Sequence, residues 1–334
     1  MLRELKTNHK IDRNQWELLV KKSSTASFFQ TQECYDFYKS LSFLEPFLMG
    51  VSENDELKGV VCGYITSESG KIKQFFSRRA IVPGGALLAS DISNEALKML
   101  LEEVKKSLKQ KAIYVEFRNY VDFSDYKSTF QKAGFDYKPH LNFHITTNNV
   151  EEALKNLNTT KRRDVKLSQK EGAEIIDTKE PDDIKSYYYL LKNLYRTKIK
   201  TPLFPYEFFE KIINTSNGKL FVIKFQGNVI GGSLCVSFSD QILYEWFVCG
   251  EDRKYKNIYP STLATWAAIA YASENGIKYF DMMGAGKPEQ DYGVREFKAK
   301  FGGKLVEHGR FLYLTRPFLY KIGKKAIEFI KKRA

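Results

Sequence analysis

The chain has 334 residues, a formal net charge of +13, 43% hydrophobic residues and 14% aromatic ones. At roughly 100–200 residues per domain this length suits two domains with ordinary buried cores, and no run of about 18 apolar residues is present to cross a bilayer as a helix. Cys34, Cys62, Cys235 and Cys249 are scattered without a CxxC pair, which argues against a disulfide framework or a cysteine zinc site and fits reduced thiols.

The N-terminus, MLRELKTNHKIDRNQWELL, has no continuous apolar segment of the signal-peptide kind, so a cytoplasmic protein is expected. Residues 12–22 and 33–41 read as helices. LKGVVCGYITSE (57–68) and KIKQFFSRRAIV (71–82) read as strands around a turn. Asp91 is a candidate cap for a helix running through Lys109, AIYVEFR (112–118) is a β-rich run, and residues 125–133 fit a helix ending at Gly134. FDYKPHLNFHIT then reads as extended. The polar stretch TTNNVEEALKNLN (146–158) marks a boundary near 147. After it come helix 160–171, strand 173–177, helix 181–198, strands 219–225 and 229–238 joined by a Gly-Asn turn, strand 241–249, helix 260–275 and strand 277–283. The two halves share a rhythm, which predicts two mixed α/β domains of like design, 1–147 and 148–315, sharing a cleft.

The remainder, 316–334, reads as a basic amphipathic C-terminal helix. From Arg316 to Arg333 it carries a net +6. Leu319, Ile322, Ala326 and Ile330 form a stripe widened by Ile327 and flanked by Lys321, Lys324, Lys325, Lys331 and Lys332. Such a helix can lie on an anionic membrane or pack on the first domain. The basic excess suits RNA, phosphorylated metabolites or an anionic membrane surface.

Three places could carry chemistry. In TTKRRDVKLSQKEGAEI (159–175), Arg163, Lys166 and Lys170 share one helix face, suited to phosphates or simply solvated. In DMMGAGKPEQDYGVREFKAKFGG (281–303), Gly284 and Gly286 would let backbone amides approach a ligand. As a short helix, GVREFKAKF would pack Val294, Phe297 and Phe301, with Lys298 beside them at a rim where it could stabilise an oxyanion. Arg295 and Tyr292 flank it, and Asp281, Glu289 and Asp291 are acceptor-orienting carboxylates or turn residues. His140 and His144 lie in an extended run without a nearby carboxylate pattern, so no metal site is expected. Walker, Rossmann and GxSxG signatures are absent.

Six segments, in order, resemble the FemABX-like branch of the GNAT acyltransferase superfamily: SFFQTQECYDFYKS (27–40), RAIVPGGALL (79–88), YVEFRN (114–119), TKRRDVKLSQKEG (160–172), YPSTLATWAAIAYASENGIKYFDMMGAG (259–286) and YGVREFKAKFGG (292–303). They span nearly the whole chain, and the later ones are the more specific. The resemblance implies two GNAT-like domains and transfer of an aminoacyl or acyl group to an amine. Family members of known role extend peptidoglycan side peptides from aminoacyl-tRNA. Lys298 in F-K-x-x-F matches the lysine that stabilises the tetrahedral intermediate; Lys39 and Arg196 match cations that hold the diphosphate of a nucleotide-linked precursor. The long helical hairpin of some Fem proteins has no counterpart here. Where other GNAT enzymes carry a glycine-rich pyrophosphate loop, this chain reads EDRKYKNIYPST, with no glycine between Gly250 and Gly276, so a CoA site of the usual kind is not expected.

The expectation is therefore an aminoacyl- or acyltransferase without a bound cofactor, acting on a nucleotide- or lipid-linked envelope precursor. The substrate-binding set is Lys39, Arg163, Lys166, Arg196, Gly284, Gly286, Tyr292 and Arg295, and the tail offers contact with the inner face of the membrane. Two alternatives stand beside it: an N-acyltransferase using acyl-CoA or acyl carrier protein on an amino sugar or amino acid, and a non-enzymatic RNA- or membrane-binding protein on a GNAT scaffold.

Overall fold

A computed structural model describes residues 4–67 and 77–324. The chain forms two compact units, one of residues 1–139 with 308–334 and one of residues 140–307. In the first unit β1 (Leu5–Asn8), β2 (Glu45–Glu53), β3 (Glu56–Thr66), β4 (Arg79–Gly84), β6 (Tyr114–Asn119), β15 (Arg310–Leu314) and β7 (Asp136–Lys138) lie side by side in that order, and the short β5 (Leu87–Leu88) pairs with β3. All neighbours on this path are antiparallel except β4 and β6. Helices α1 (Arg13–Lys22), α2 (Gln32–Ser40), α3 (Asn94–Leu108) and α4 (Lys127–Lys132) accompany this sheet, with a further helical stretch at 317–324. The core forms because α3 repeats its apolar residues every three or four positions. Leu97, Leu100, Leu101, Val104 and Leu108 bury against Val61, Val82, Val115 and Phe117.

The second unit repeats the plan. Its sheet runs β14 (Lys304–Glu307), β8 (Leu141–Thr146), β13 (Tyr279–Gly284), β12 (Ile242–Gly250), β11 (Asn228–Phe238), β10 (Gly218–Phe225), β9 (Glu174–Asp177), with β12 and β13 the one parallel pair among the described strands of this sheet. Helices α5 (Val150–Asn156), α6 (Thr159–Lys170), α7 (Pro181–Leu194), α8 (Tyr206–Ile213), α9 (Pro260–Glu274) and α10 (Gly293–Ala299) accompany it. The long helix α9 is apolar nearly all round. It packs on β11 and β12 and also on α5 and α6, so Leu263, Ala264, Trp266, Ala267, Ala268 and Ile269 are all buried.

The boundaries differ from those expected at 147 and 315. Strand β8 joins the second sheet, between β13 and β14, and β15 returns to the first, between β6 and β7. Each unit thus takes a strand from the other side of the linear boundary. The composition change at 146–158 marks α5 and its approach, not the crossing point. The α3 cap is also different. Ser93 accepts the Ala96 N–H at 3.1 Å, while Asp91 pairs with Lys58 at 2.7 Å. Helix 181–198 ends at Leu194 and continues as one wide π turn, Tyr195–Ile199, closed by Lys200 in the left-handed region. Of the second predicted strand, residues 71–76 lie outside the described residues.

Candidate active site

The site grows out of the parallel pair in the second sheet. Ile242, Leu243 and Tyr244 stand opposite Tyr279, Phe280 and Asp281, and there the pairing stops. Both strands continue, β12 to Gly250 and β13 to Gly284. On its other edge β13 loses regular register with β8 between Asp281 and Gly284. A strand pair that parts in mid-sheet leaves main-chain groups without ladder partners, and these must be satisfied otherwise.

Lys298 satisfies two of them. Its Nζ donates to the carbonyls of Met282 and Gly284, the latter at 2.9 Å. The side chain is 7% exposed, so it is not the rim residue the helix pattern predicted. It comes to this place because α10 anchors on both flanks. Phe301 is fully buried and Phe297 packs partly against the core, whereas Val294 is exposed, contrary to expectation. Burial pushes the Lys298 pKa down, and the carboxylates of Glu245 and Asp281 pull it back up. Glu245 is itself 4% exposed and accepts from Thr265 Oγ1 at 2.8 Å and Ser233 Oγ at 3.2 Å. Burial raises its pKa, and Lys298 opposes that rise.

The loop after β13 is held from within. Arg295 Nε donates to the Ala285 carbonyl at 3.0 Å and Nη1 to that of Pro288 at 3.2 Å, with Nη2 on that of Lys287. Its charge is thus committed to shaping the loop. Gly286 has φ of 80°, and a Cβ there would stand 2.9 Å from the Tyr292 ring, so glycine lets the ring close over the turn. Gly284 gives its carbonyl to Lys298, and the Gly286 carbonyl accepts the Leu141 N–H at 2.9 Å.

A second buried lysine supports the same helix. Lys161, 8% exposed, donates to Thr262 Oγ1 at 2.6 Å, and its Nζ sits 4.0 Å from the Phe297 ring centroid and 5.4 Å from that of Phe301. Burial lowers its pKa. At the N-terminus of α9, Asp252 Oδ1 accepts the Ser261 N–H at 3.1 Å and Oδ2 bonds the Ser261 hydroxyl.

The remaining predicted residues lie on the surface. Arg163 is exposed and bends onto buried Asp164 at 2.9 Å. Lys166 is exposed and lines a groove of about 450 Å³ with Val150, Leu154, Trp266 and Tyr271. Arg196 is exposed in the π turn and reaches Asn193 Oδ1 at 3.2 Å. Lys39 belongs to the first unit, 3.9 Å from Asp36. Glu289 and Asp291 are exposed, but Asp281 is 1% exposed, too deep to orient an acceptor directly. Glu245, Lys161 and Asp252 escaped the sequence reading. The signal for Glu245 was legible in kind: one acid inside the apolar strand ILYEWFVCG, where carboxylates are rarely buried unless paired.

Residues 218–328 match the sequence model of the FemAB family. No curated protein sequence matches the chain. Among solved structures, FemX aligns with a TM-score of 0.71 at 16% identity, over 95% of this chain and 99% of FemX. A tandem GNAT protein from the clavulanic acid biosynthesis pathway gives 0.59 at 9% identity, over 93% and 99%. L-PGS from Bacillus licheniformis gives 0.57 at 12%, over 94% and 96%. At these identities the likeness is one of fold.

Proposed function

We propose that this chain, whose residues 218–328 match the FemAB family model, is a FemABX-like member of the GNAT superfamily and, on that premise, an aminoacyltransferase that moves an aminoacyl group onto an amine of a peptidoglycan-type envelope precursor. The observation that carries the reading is Lys298 at the parting of β12 and β13. An ammonium has three N–H donors, and two are held by the Met282 and Gly284 carbonyls. The third remains to meet negative charge that develops during reaction. In acyl transfer the acceptor nitrogen attacks the donor ester carbonyl, a new C–N bond forms, and the carbonyl oxygen becomes an oxyanion that Lys298 stabilises. The ester C–O bond then breaks, and the proton lost by the amine goes to the leaving hydroxyl, carried by the substrate or a nearby carboxylate.

Asp252 bears on the donor. A conventional acyl-CoA site places pyrophosphate on a helix N-terminus, and here the carboxylate of Asp252 already occupies that end of α9. A second anion would meet repulsion there, which favours an aminoacyl ester over acyl-CoA. The exposed cations Lys39, Arg163, Lys166 and Arg196 serve the phosphates of donor and acceptor. The basic tail gives a reversible contact with an anionic bilayer, where lipid-linked acceptors reside. Of that tail, residues 317–324 are helical, with Tyr320 edge-on to Tyr114 in the first unit and Phe318 and Ile322 exposed. Ala326, Ile327, Ile330, Lys325, Lys331 and Lys332 lie outside the described residues. Among the described residues no helix is long and apolar enough to cross a membrane.

Incubation with aminoacyl-tRNAs, acetyl-CoA or acyl carrier protein thioesters, each with nucleotide- and lipid-linked muropeptides, tests the function by mass gain on the acceptor. Gain with aminoacyl-tRNA is expected, with CoA binding weaker than about 1 mM. Gain with a thioester and micromolar CoA affinity would replace this reading with that of an N-acyltransferase. For the tail, anionic vesicles should sediment the full chain but not a version ending at Thr315; equal sedimentation of both would reject the membrane contact.

A further inference from the structure

The two carbonyls that hold Lys298 flank an unusual residue. Met283 stands between Met282 and Gly284 with φ of 56°, a left-handed conformation in which a Cβ crowds the following carbonyl oxygen. Something must hold it there. Asp281 Oδ1 accepts the Met283 N–H at 2.6 Å, the local bond by which Asp side chains stabilise turns, here placed inside a strand. The carboxylate is fixed in turn by β8. Asn142 Nδ2 lies 3.4 Å from both of its oxygens, and His144 Nε2 lies 3.3 Å from Oδ2. The register break between Asp281 and Gly284 coincides with this turn.

We infer that Asp281 is a positioning residue for Lys298, holding the Met283 turn so that the Met282 and Gly284 carbonyls converge on one ammonium. The inference rests on the reading of Lys298 as the oxyanion donor. It differs from a proton-transfer role: Asp281 is 1% exposed, and its oxygens already face Met283, Asn142 and His144. Glu245, on the neighbouring strand, has its own partners in Thr265 and Ser233 and does not touch the Met283 amide.

The test compares kcat and KM in the transfer assay for Asp281→Ala, Asp281→Asn and Asp281→Ala combined with Met283→Gly. Asp281→Ala is expected to lower kcat by about tenfold or more, since small displacements of a catalytic group are costly, and to leave KM within about threefold. Asparagine keeps an acceptor for the Met283 N–H, and Asn142 can turn its amide to match, so Asp281→Asn should stay within about threefold of the native kcat. Glycine takes the left-handed region freely, so Met283→Gly should restore part of the loss in the alanine background. Met283→Asn serves where the glycine variant does not fold, because Met283 is 9% exposed and its side chain fills space. A folded Asp281→Ala with native kcat overturns the inference. So does an Asp281→Asn as impaired as the alanine variant, which would mean that Asp281 acts by charge, or a failure of both Met283 changes to rescue. Lys298→Ala is measured alongside. If it retains native kcat, the reading of Lys298 falls and the positioning role with it; if Asp281→Ala alone retains it, only the positioning role falls.

Discussion

In the first unit the parallel strands β4 and β6 stay in register for six residues, from Arg79 opposite Tyr114 to Gly84 opposite Asn119. In the second, β12 and β13 stay together for three. The sheets otherwise share one order of strand directions, so the difference isolates what the parting provides. At the end of β4 the carbonyls of Gly84 and Gly85 accept from the amide of Gln30, at 2.8 and 3.3 Å. Gly84 has φ of 78°, and a Cβ there would stand 2.4 Å from Ser27 Oγ, so glycine is required for the chain to close onto Gln30. At the end of β13 the corresponding service is done by the ammonium of Lys298. A neutral amide only satisfies the backbone. An ammonium does that and also offers a charge, so on the proposed function one scaffold yields a closed structural end and a reactive one.

The largest expected effect on this contrast is that of Lys298→Ala, which should lower kcat by about 10²–10³, as loss of an oxyanion donor does elsewhere, while the fold persists by circular dichroism. Unchanged turnover would erase the distinction between the two ends. Gln30→Ala should do the reverse. It leaves the carbonyls of Thr25, Gly84 and Gly85 without their amide partner and should cost about 3 kcal/mol of unfolding free energy in urea, with kcat of the folded fraction unchanged.

A third contrast is in pH. In the first unit burial alone would raise the Glu116 pKa, but Arg118 and Arg310 pull it down to about 2 from 4.5. A depressed carboxylate contributes stability that is present above its unfolded value and lost as pH falls through its folded one. Acid should therefore remove up to about 3 kcal/mol between pH 4.5 and 2. Glu116→Gln should flatten that part of the stability curve; an identical acid limb in the variant would show that the triad contributes nothing. In the second unit the effect is on turnover and is the smallest near neutral pH. Burial holds the Lys298 pKa below the ordinary 10.5, so kcat should decline with rising pH before a normal lysine would titrate. Lys298→Arg, if active, should lose that alkaline limb, since a guanidinium stays charged.

Much of this was legible in the sequence. The F-K-x-x-F segment singled out Lys298, though at a rim and not at the buried place it takes, and helices such as α3 and α6 fell within a few residues of their expected bounds. What escaped depends on contacts far apart in the chain. Strands β8 and β15 are short, and nothing local says that each pairs in the other sheet. Arg295 reads as a free cation until the loop carbonyls around it are seen. Met283 gives no sign in its residue type that it is left-handed; glycine would have. Glu245 went unread inside its apolar strand and Asp281 read as an acceptor-orienting carboxylate or turn residue, because their depth, 4% and 1% exposed, comes from the sheet as a whole.

The central claim is that the transferred group reacts where β12 and β13 part. The direct measurement is photocrosslinking with a competent donor carrying a diazirine on the group it transfers, followed by peptide mapping. Label should fall on residues 242–250 and 281–300 and should be competed by unmodified donor. Competed label confined to residues 79–85 and 114–119 of the first unit would contradict the account.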